Sequence, residues 1–158
     1  MELAGVAPVA EWRTAAPKGA TSQFNGGPLI WARVLAITDR CWSCRSKARG
    51  IVGVLVDVGD GEAFVSFTDV AECLAVSVGS RVLAARGIGE LRHRDSPGIE
   101  GGYVSNGCPE CDVLIGRIFL EDLLDEHLRN GGTYTQLDTG LVLELRVADL
   151  AERLPQTA

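Results

Sequence analysis

Two short Cys-x-x-Cys pairs constrain the fold of this chain more than any other feature of its sequence. Cys41 and Cys44 form the first pair, Cys108 and Cys111 form the second, and together they use four of the five cysteines. A Cys-x-x-Cys turn directs two sulfur atoms at one point, and two such turns supply the four ligands of a tetrahedral zinc ion. The sequence therefore predicts one metal site with these four cysteines as ligands and Zn²⁺ as the expected ion.

The residues around the two pairs are typical of tight, ligand-bearing turns. Pro109 presets the backbone φ directly after the first ligand of the second pair. Gly107 precedes that pair, where we expect it to give the backbone the freedom that a tight turn needs. Arg45 and Lys47 follow the first pair, and their positive charge would offset the excess negative charge of four thiolates around one Zn²⁺.

The spacing between the two pairs is unusual for such a site. Cys44 and Cys108 are separated by 63 residues, whereas compact zinc ribbons use roughly 15 to 20. The entropy of closing a loop grows only logarithmically with its length, and a structural zinc ion contributes on the order of 10 kcal/mol. The long interval is therefore compatible with one shared site, provided that it contains a folded insertion.

Two other uses of the cysteines stay open. Cys-x-x-Cys is also the spacing of redox-active dithiols, although those pairs begin a helix after a strand, and here Gly50 and a β-rich run follow the first pair. Ordinary structural thiols or disulfides are the other possibility. We expect no secretory signal, because Glu2 stands near the N-terminus where such a signal is basic, and this disfavours a disulfide framework.

Composition places the chain among globular domains and narrows its partners. With 158 residues, of which 46% are hydrophobic, it is long enough for one domain with a sizeable core. The net charge of −6 argues against general binding to nucleic acid or to anionic membranes. No apolar run approaches the roughly 20 residues that span a bilayer. We therefore expect a cytoplasmic protein with no membrane partner.

The chain divides into an arm and one domain. Residues 1–28 contain three of the six prolines and predict an irregular N-terminal arm, and residues 29–158 predict a single zinc-stabilised domain. The fold class expected is α+β, with a mostly antiparallel sheet or small barrel, two or three short helices and a four-cysteine zinc knuckle pair. Hydrophobic periodicity predicts strands over 29–38, 50–58, 62–67, 81–85, 103–105 and 113–118, helices over 68–77, 119–128 and 148–154, and a hairpin over 134–147, with a loop over 86–102.

Three further features have ordinary structural interpretations. Cys73 lies on the apolar face of a predicted helix and is expected in the core. His93 lies in the predicted loop and is expected at a solvated tip, although it could replace a cysteine ligand. The acidic positions of the helix predicted over 119–128 are expected to form a solvated face.

Function follows from the site more than from any catalytic motif. Four cysteine ligands would fill the coordination of zinc and leave no position for a reactive water, and no recognisable catalytic motif is present. We therefore expect a non-catalytic interaction module with a protein partner, while an enzymatic activity in residues 60–102 stays open.

Two alternative functions stay open. One is binding of single-stranded nucleic acid by the basic, aromatic first Cys-x-x-Cys pair, and the other is redox or metal sensing. The contact residues expected for nucleic acid or for a partner are Trp42, Arg45, Lys47 and Arg49.

The chain resembles a group of uncharacterised bacterial zinc-ribbon-like proteins over roughly a quarter of its length. The matching segments are Cys41-Trp42-x-Cys44, the apolar run 51–57, Tyr103-x-x-Asn106-x-Cys108-Pro109-x-Cys111 and Leu114-x-Gly116-x-x-Phe119-Leu120. The resemblance implies the same four cysteines as metal ligands and implies no reaction. Asp112 departs from the glycine common after the second knuckle, and residues 60–102 have no counterpart in the group.

Overall fold

The computed structural model describes residues 29–58 and 61–150, except for the side chains of residues 148 and 149. The predicted arm over 1–28 lies outside the described residues, as does the end of the helix predicted over 148–154. Within the described part of the chain, no helix is both long and apolar enough to cross a membrane.

Two antiparallel sheets and several short helices make up the described part of the chain. The first sheet has the order β3-β2-β1-β7 and consists of β1 (Leu29–Arg40), β2 (Lys47–Asp57), β3 (Glu62–Ser66) and β7 (Asp138–Arg146). The second has the order β4-β5-β6 and consists of β4 (Arg92–Ser96), β5 (Ile99–Gly107) and β6 (Leu114–Ile115). The helices are α1 (Phe67–Ser77), α2 (Ser80–Ala84), α3 (Arg117–Arg129), α4 (Val147–Leu150) and a 3₁₀ turn (Tyr134–Leu137).

The first sheet is the middle layer of the molecule, since each of its faces packs against a separate apolar cluster. Alternate residues of β1 such as Val34 join Val70 and Leu74 of α1 in the larger cluster. Leu35 points to the opposite face and joins Leu120 of α3 in the smaller cluster. A strand covered on both faces is apolar almost throughout, which explains the continuous hydrophobic run of β2.

A β-bulge redirects β2 near the middle of its pairing with β1. Leu35 pairs with Gly53 and Ala36 pairs with Ile51, so Val52 is the extra residue on β2. Because successive side chains of a strand alternate between faces, one extra residue reverses the alternation. Ile51 therefore lies in the larger cluster and Val52 in the smaller one.

The second sheet is attached to the first by a buried amide. Asn106 of β5 is only 1% exposed, and its Nδ2 donates to the Ile51 carbonyl at 2.9 Å. Its Oδ1 accepts the Ile51 backbone N–H at 2.8 Å. The same side chain thus satisfies both backbone groups of Ile51 beside the bulge, where the regular ladder is interrupted.

The predicted α+β class with mostly antiparallel sheets is confirmed. Both sheets are open, and the described residues form no closed barrel. Four segments differ from the prediction. Residues 134–147, predicted as a hairpin, contain the 3₁₀ turn and the single strand β7, which pairs with β1. Residues 81–85, predicted as a strand, fall mainly in α2, where Leu83 is buried and its neighbours are exposed. The predicted loop over 86–102 contains β4 and the start of β5, and the β-like segment over 113–118 shortens to β6 before α3 begins.

Candidate metal centre

Each Cys-x-x-Cys pair occupies the loop of a hairpin. The first knuckle, residues 41–46, connects β1 to β2, and the second knuckle, residues 108–113, connects β5 to β6. In the first knuckle the Cys41 backbone N–H donates to the Ser46 carbonyl at 2.8 Å, and the Arg45 N–H donates to the Cys41 carbonyl at 3.0 Å. The strands therefore deliver both cysteines of the pair on one tightly closed turn.

The second knuckle repeats the backbone pattern of the first. The Cys108 N–H donates to the Val113 carbonyl at 2.9 Å, and the Asp112 N–H donates to the Cys108 carbonyl at 2.9 Å. The residue after the last cysteine has a left-handed backbone in both knuckles, with φ of 67° at Arg45 and 62° at Asp112. Glycine is favoured in this conformation, so these two residues are held there by their surroundings.

The four sulfur atoms form a compact cluster. The Cys41 and Cys111 Sγ atoms are 3.6 Å apart, the Cys44 and Cys108 Sγ atoms are also 3.6 Å apart, and all four lie within 4.8 Å of one another. A tetrahedron of sulfurs about 2.3 Å from a central zinc ion has edges of about 3.8 Å. The cluster therefore has the dimensions of a four-thiolate metal site, and each close pair joins one cysteine from each knuckle.

The donor set fits a borderline-soft ion, because all four ligand atoms are cysteine sulfurs. Cys41 and Cys108 are each 2% exposed, whereas Cys44 and Cys111 are exposed at the surface. The site is therefore built at the edge of the core, with one buried and one exposed ligand on each knuckle.

Hydrogen bonds and burial act in opposite directions on the thiols. Hydrogen bonds from the Ser46 hydroxyl and backbone N–H lower the pKa of Cys44 to about 6. Burial raises the pKa of Cys108 to about 11. The pKa of Cys41 is lowered, chiefly by the backbone N–H of Cys44. Because a metal binds thiolates and not thiols, Cys108 is the ligand at which metal binding must displace a tightly held proton.

A buried arginine fixes the second knuckle against the second sheet. Arg94 is 7% exposed, and its guanidinium donates to the Ser105 carbonyl at 2.8 Å and to the Glu90 carbonyl at 3.0 Å. It also donates to the Asp112 carboxylate at 2.5 Å and to the Asp112 carbonyl at 3.3 Å. Asp112 additionally pairs with Arg92. These bonds account for an aspartate at a left-handed position where the resembling group has glycine.

Gly107 has a different role from the one expected. Its φ lies outside the left-handed region, so conformational freedom is not the reason for a glycine. A Cβ at this position would overlap the Arg94 guanidinium. Gly107 is therefore needed for the space that it leaves to Arg94.

The expected contact residues occupy different environments on the first knuckle. Trp42 is 64% exposed, yet its Nε1 donates to the Leu114 carbonyl of β6 at 3.0 Å. This hydrogen bond links the first knuckle to the strand that follows the second knuckle. Arg45 and Lys47 are exposed. Arg49 is half-buried, and its Nη1 donates to the Arg86 carbonyl at 3.0 Å.

The remaining sequence candidates lie elsewhere. Cys73 is half-buried, packs against the larger apolar cluster and is not among the four clustered cysteines. His93 lies exposed on β4 and is likewise not part of the cluster. The acidic side chains of α3 are exposed: Glu121, Asp122, Asp125 and Glu126. Sequence reasoning assigned no role to Asn106, to Arg94 or to the ion pair with Asp112. For Asn106, the available signal was its position two residues before Cys108.

Comparison of the chain with protein-family models, curated proteins and solved structures finds no match.

Proposed function

We propose that Cys41, Cys44, Cys108 and Cys111 hold one Zn²⁺ and that this small protein acts as a non-catalytic interaction module for a protein partner. One observation carries the proposal: two separate hairpins bring four sulfur atoms within 4.8 Å of one another. The similarity to the zinc-ribbon-like group agrees with the proposed metal ligands and implies no activity, and membership of that group stays a prediction. A reducing cytoplasm is the compartment that suits four free thiolates.

A structural role for the metal follows from its ligands and its position. Four thiolates complete the tetrahedral coordination of zinc, which leaves no position for a substrate or a reactive water. The two knuckles belong to different sheets, so one ion would cross-link strands that are joined otherwise by few bonds. In this proposal the metal stabilises the relative placement of the two sheets.

The surface beside the metal centre supports an interaction role. Trp42 is 64% exposed, Ile118 is 66% exposed and Phe119 is 47% exposed. Trp42 lies on the first knuckle, and the other two residues begin α3 directly after β6. Large apolar side chains exposed close together mark contact surfaces more often than chance.

Single-stranded nucleic acid is the second candidate partner, and one groove favours it. Trp42 borders a groove of about 730 Å³ that is also lined by Arg92 and His93. An exposed aromatic ring beside an arginine is the arrangement on which unpaired bases stack.

Metal analysis of the purified protein and its cysteine variants tests the proposed zinc site. We expect one zinc per chain in the wild type, and a loss of bound zinc in Cys108→Ser. Cys73→Ser is the matched control, because it removes the one cysteine outside the cluster, and it should retain the full zinc content. Purification of a folded protein without stoichiometric metal, under reducing conditions and with no chelator, would contradict the proposal.

A further inference from the structure

A small apolar pocket opens between the metal centre and the start of α3. Its volume is about 120 Å³, and Trp42 and Phe119 both line its wall. Ala48, Ile115 and Leu120 supply most of the remaining apolar lining. The pocket is therefore bounded by both knuckle hairpins and by the helix that follows the second one.

The walls of this pocket are held in place before any partner binds. The Trp42 indole is fixed by its hydrogen bond to the Leu114 carbonyl at 3.0 Å. Leu120 is 3% exposed and packs so closely on Gly50 that a Cβ there would lie 2.6 Å from its Cδ1. A preformed pocket does not require side chains to be ordered on binding, which preserves affinity.

The volume of the pocket fits one large side chain. An apolar cavity of about 150 Å³ holds one benzene molecule, so 120 Å³ suits an aliphatic or aromatic group of similar size. Of the two aromatic residues that line it, Trp42 is 64% exposed and Phe119 is 47% exposed. Insertion of an apolar side chain would remove this surface from water, at about 25 cal/mol per Å² buried.

The rim of the pocket is charged on the side of the first knuckle. Arg40 and Asp39 both line the pocket, and Asp39 accepts the Arg40 backbone N–H at 2.7 Å. The Arg40 guanidinium donates to the Arg45 carbonyl at 3.1 Å, which places it over the knuckle. Lys47 lies directly opposite Arg40 in the register of the β1–β2 hairpin. On the rim itself, one exposed cation (Arg40) accompanies one half-buried carboxylate (Asp39), and Lys47 adds a further exposed cation across the hairpin from Arg40.

Arg40 is the rim residue that a carboxylate of a partner can reach. It lines the pocket and its side chain is exposed. The two arginines beside the second knuckle, Arg92 and Arg94, already pair with Asp112.

We propose that this pocket receives one large apolar side chain from a protein segment that carries acidic residues next to it. The inference rests on the proposed function and names the partner of that same surface. The apolar group enters between Trp42 and Phe119, and a neighbouring carboxylate pairs with Arg40. Such a central anchor with a charged rim is the arrangement that dominates binding energy in protein interfaces.

A nucleobase fits the same pocket less well. The walls formed by Ala48, Ile115 and Leu120 offer no polar side chain to the edge of a base. The observations therefore favour a protein segment over a nucleic acid at this site.

Selection from a random peptide library on the zinc-loaded full chain tests the inference. We expect the enriched peptides to share one large apolar residue with Asp or Glu within a few positions of it. For a synthetic peptide from that set, replacement of the apolar residue by Ala should weaken binding by at least about tenfold. Replacement of its acidic residues by Lys should also weaken binding.

Variants of the protein locate the binding site. Phe119→Ser should weaken binding of the enriched peptide by at least about tenfold, and Arg40→Glu should weaken it and restore binding of the lysine-substituted peptide. Val76→Ser is the matched control, because Val76 is 90% exposed on α1 and distant in sequence from the pocket. It should leave binding unchanged.

The outcomes separate failure of the inference from failure of the proposed zinc site. Zinc content is measured on the wild type and on every variant. A wild-type protein that contains no zinc would count against the proposed function. A zinc-loaded protein that enriches no peptide family, or that binds its peptides equally well after Phe119→Ser, would overturn the inference. A 12-nucleotide single strand that binds the wild type tightly and competes with the peptide would overturn it in favour of nucleic acid.

Discussion

Arg94 determines the geometry of the second knuckle more directly than any residue other than the ligands. Its guanidinium donates to six acceptors from three segments of the chain, and 6% of its side chain is exposed. Groups that orient metal ligands from behind typically change metal affinity by 10- to 100-fold when they are removed. The proposed metal centre would therefore depend on a residue that contributes no ligand atom.

Replacing Arg94 by Lys should loosen the metal without removing a positive charge. An ammonium group cannot reproduce the planar fork of donors that reaches Ser105, Glu90 and Asp112 together. We expect release of zinc to a competing chelator to accelerate by roughly tenfold or more. Arg92→Lys is the matched control, because Arg92 pairs with the same carboxylate but 46% of its side chain is exposed. It should have a much smaller effect, and equal effects from both variants would contradict this role for Arg94.

Gly107→Ala should destabilise the protein by overpacking. The added methyl group overlaps the Arg94 guanidinium, and forced expansion of a packed site typically costs about 1 to 3 kcal/mol. Gly98→Ala is the matched control, since nothing lies within 4 Å of a Cβ at that turn. Urea unfolding of the two zinc-loaded variants measures the difference, and similar midpoints would refute the steric explanation.

At the scale of elements, β1 and β2 were predictable from the sequence, whereas β4 was not. The apolar run of β2 and the β-rich composition of β1 are local properties of the sequence, and both predicted strands are present. β4 has the sequence Arg-His-Arg-Asp-Ser, which resembles a solvated loop. Its Arg94 is nevertheless buried, because it donates hydrogen bonds to Ser105 and Asp112. These two acceptors lie 11 and 18 residues further along the chain. Nothing in the local pattern signals such a long-range contact.

The metal-ligand cluster was predictable from spacing alone, because the Cys-x-x-Cys pattern is itself a local geometric feature. The support around it was not. Asn106 joins the two sheets through Ile51, a residue 55 positions away, and hydrogen-bonding partners at that distance cannot be inferred from one sequence. A different limit explains why α2 was predicted as a strand. A segment of five residues is too short for periodicity to distinguish a helix from a strand.

Asn106→Ala should therefore weaken the junction of the two sheets. The change leaves the backbone N–H and carbonyl of Ile51 buried without their partners, and each such group costs about 1 to 3 kcal/mol. We expect a loss of about 2 to 4 kcal/mol in the free energy of unfolding, measured by denaturant titration. Asn130→Ala, at the exposed end of α3, is the control and should be close to neutral. A neutral Asn106→Ala would show that the junction is held by other contacts.

At the scale of the whole molecule, the two apolar clusters differ in their dependence on the metal. The larger cluster contains none of the four clustered cysteines, whereas the smaller one contains Cys41 and Cys108. One side of the first sheet can therefore keep its core without zinc, while the other side includes the ligands themselves. Loss of the ion should loosen the molecule unevenly.

Hydrogen exchange on the protein before and after zinc removal measures this asymmetry. We expect amides of β5, β6 and the second knuckle to lose most of their protection when a chelator removes the metal. Amides in the part of β2 that faces α1 should lose less, because the contacts with Val70 and Leu74 persist. Restoring zinc should restore protection. Uniform loss across both sheets would show that the fold depends on the metal as a single unit.

X-ray absorption at the zinc edge of the purified protein tests most directly whether one ion joins the two knuckles. The proposed site predicts four sulfur neighbours at about 2.3 Å and no nitrogen or oxygen neighbour, because the clustered sulfurs of Cys41, Cys44, Cys108 and Cys111 would supply the whole ligand set. A zinc ion bound by two sulfurs and by water or histidine would mean that the knuckles do not share it. That result would contradict the account.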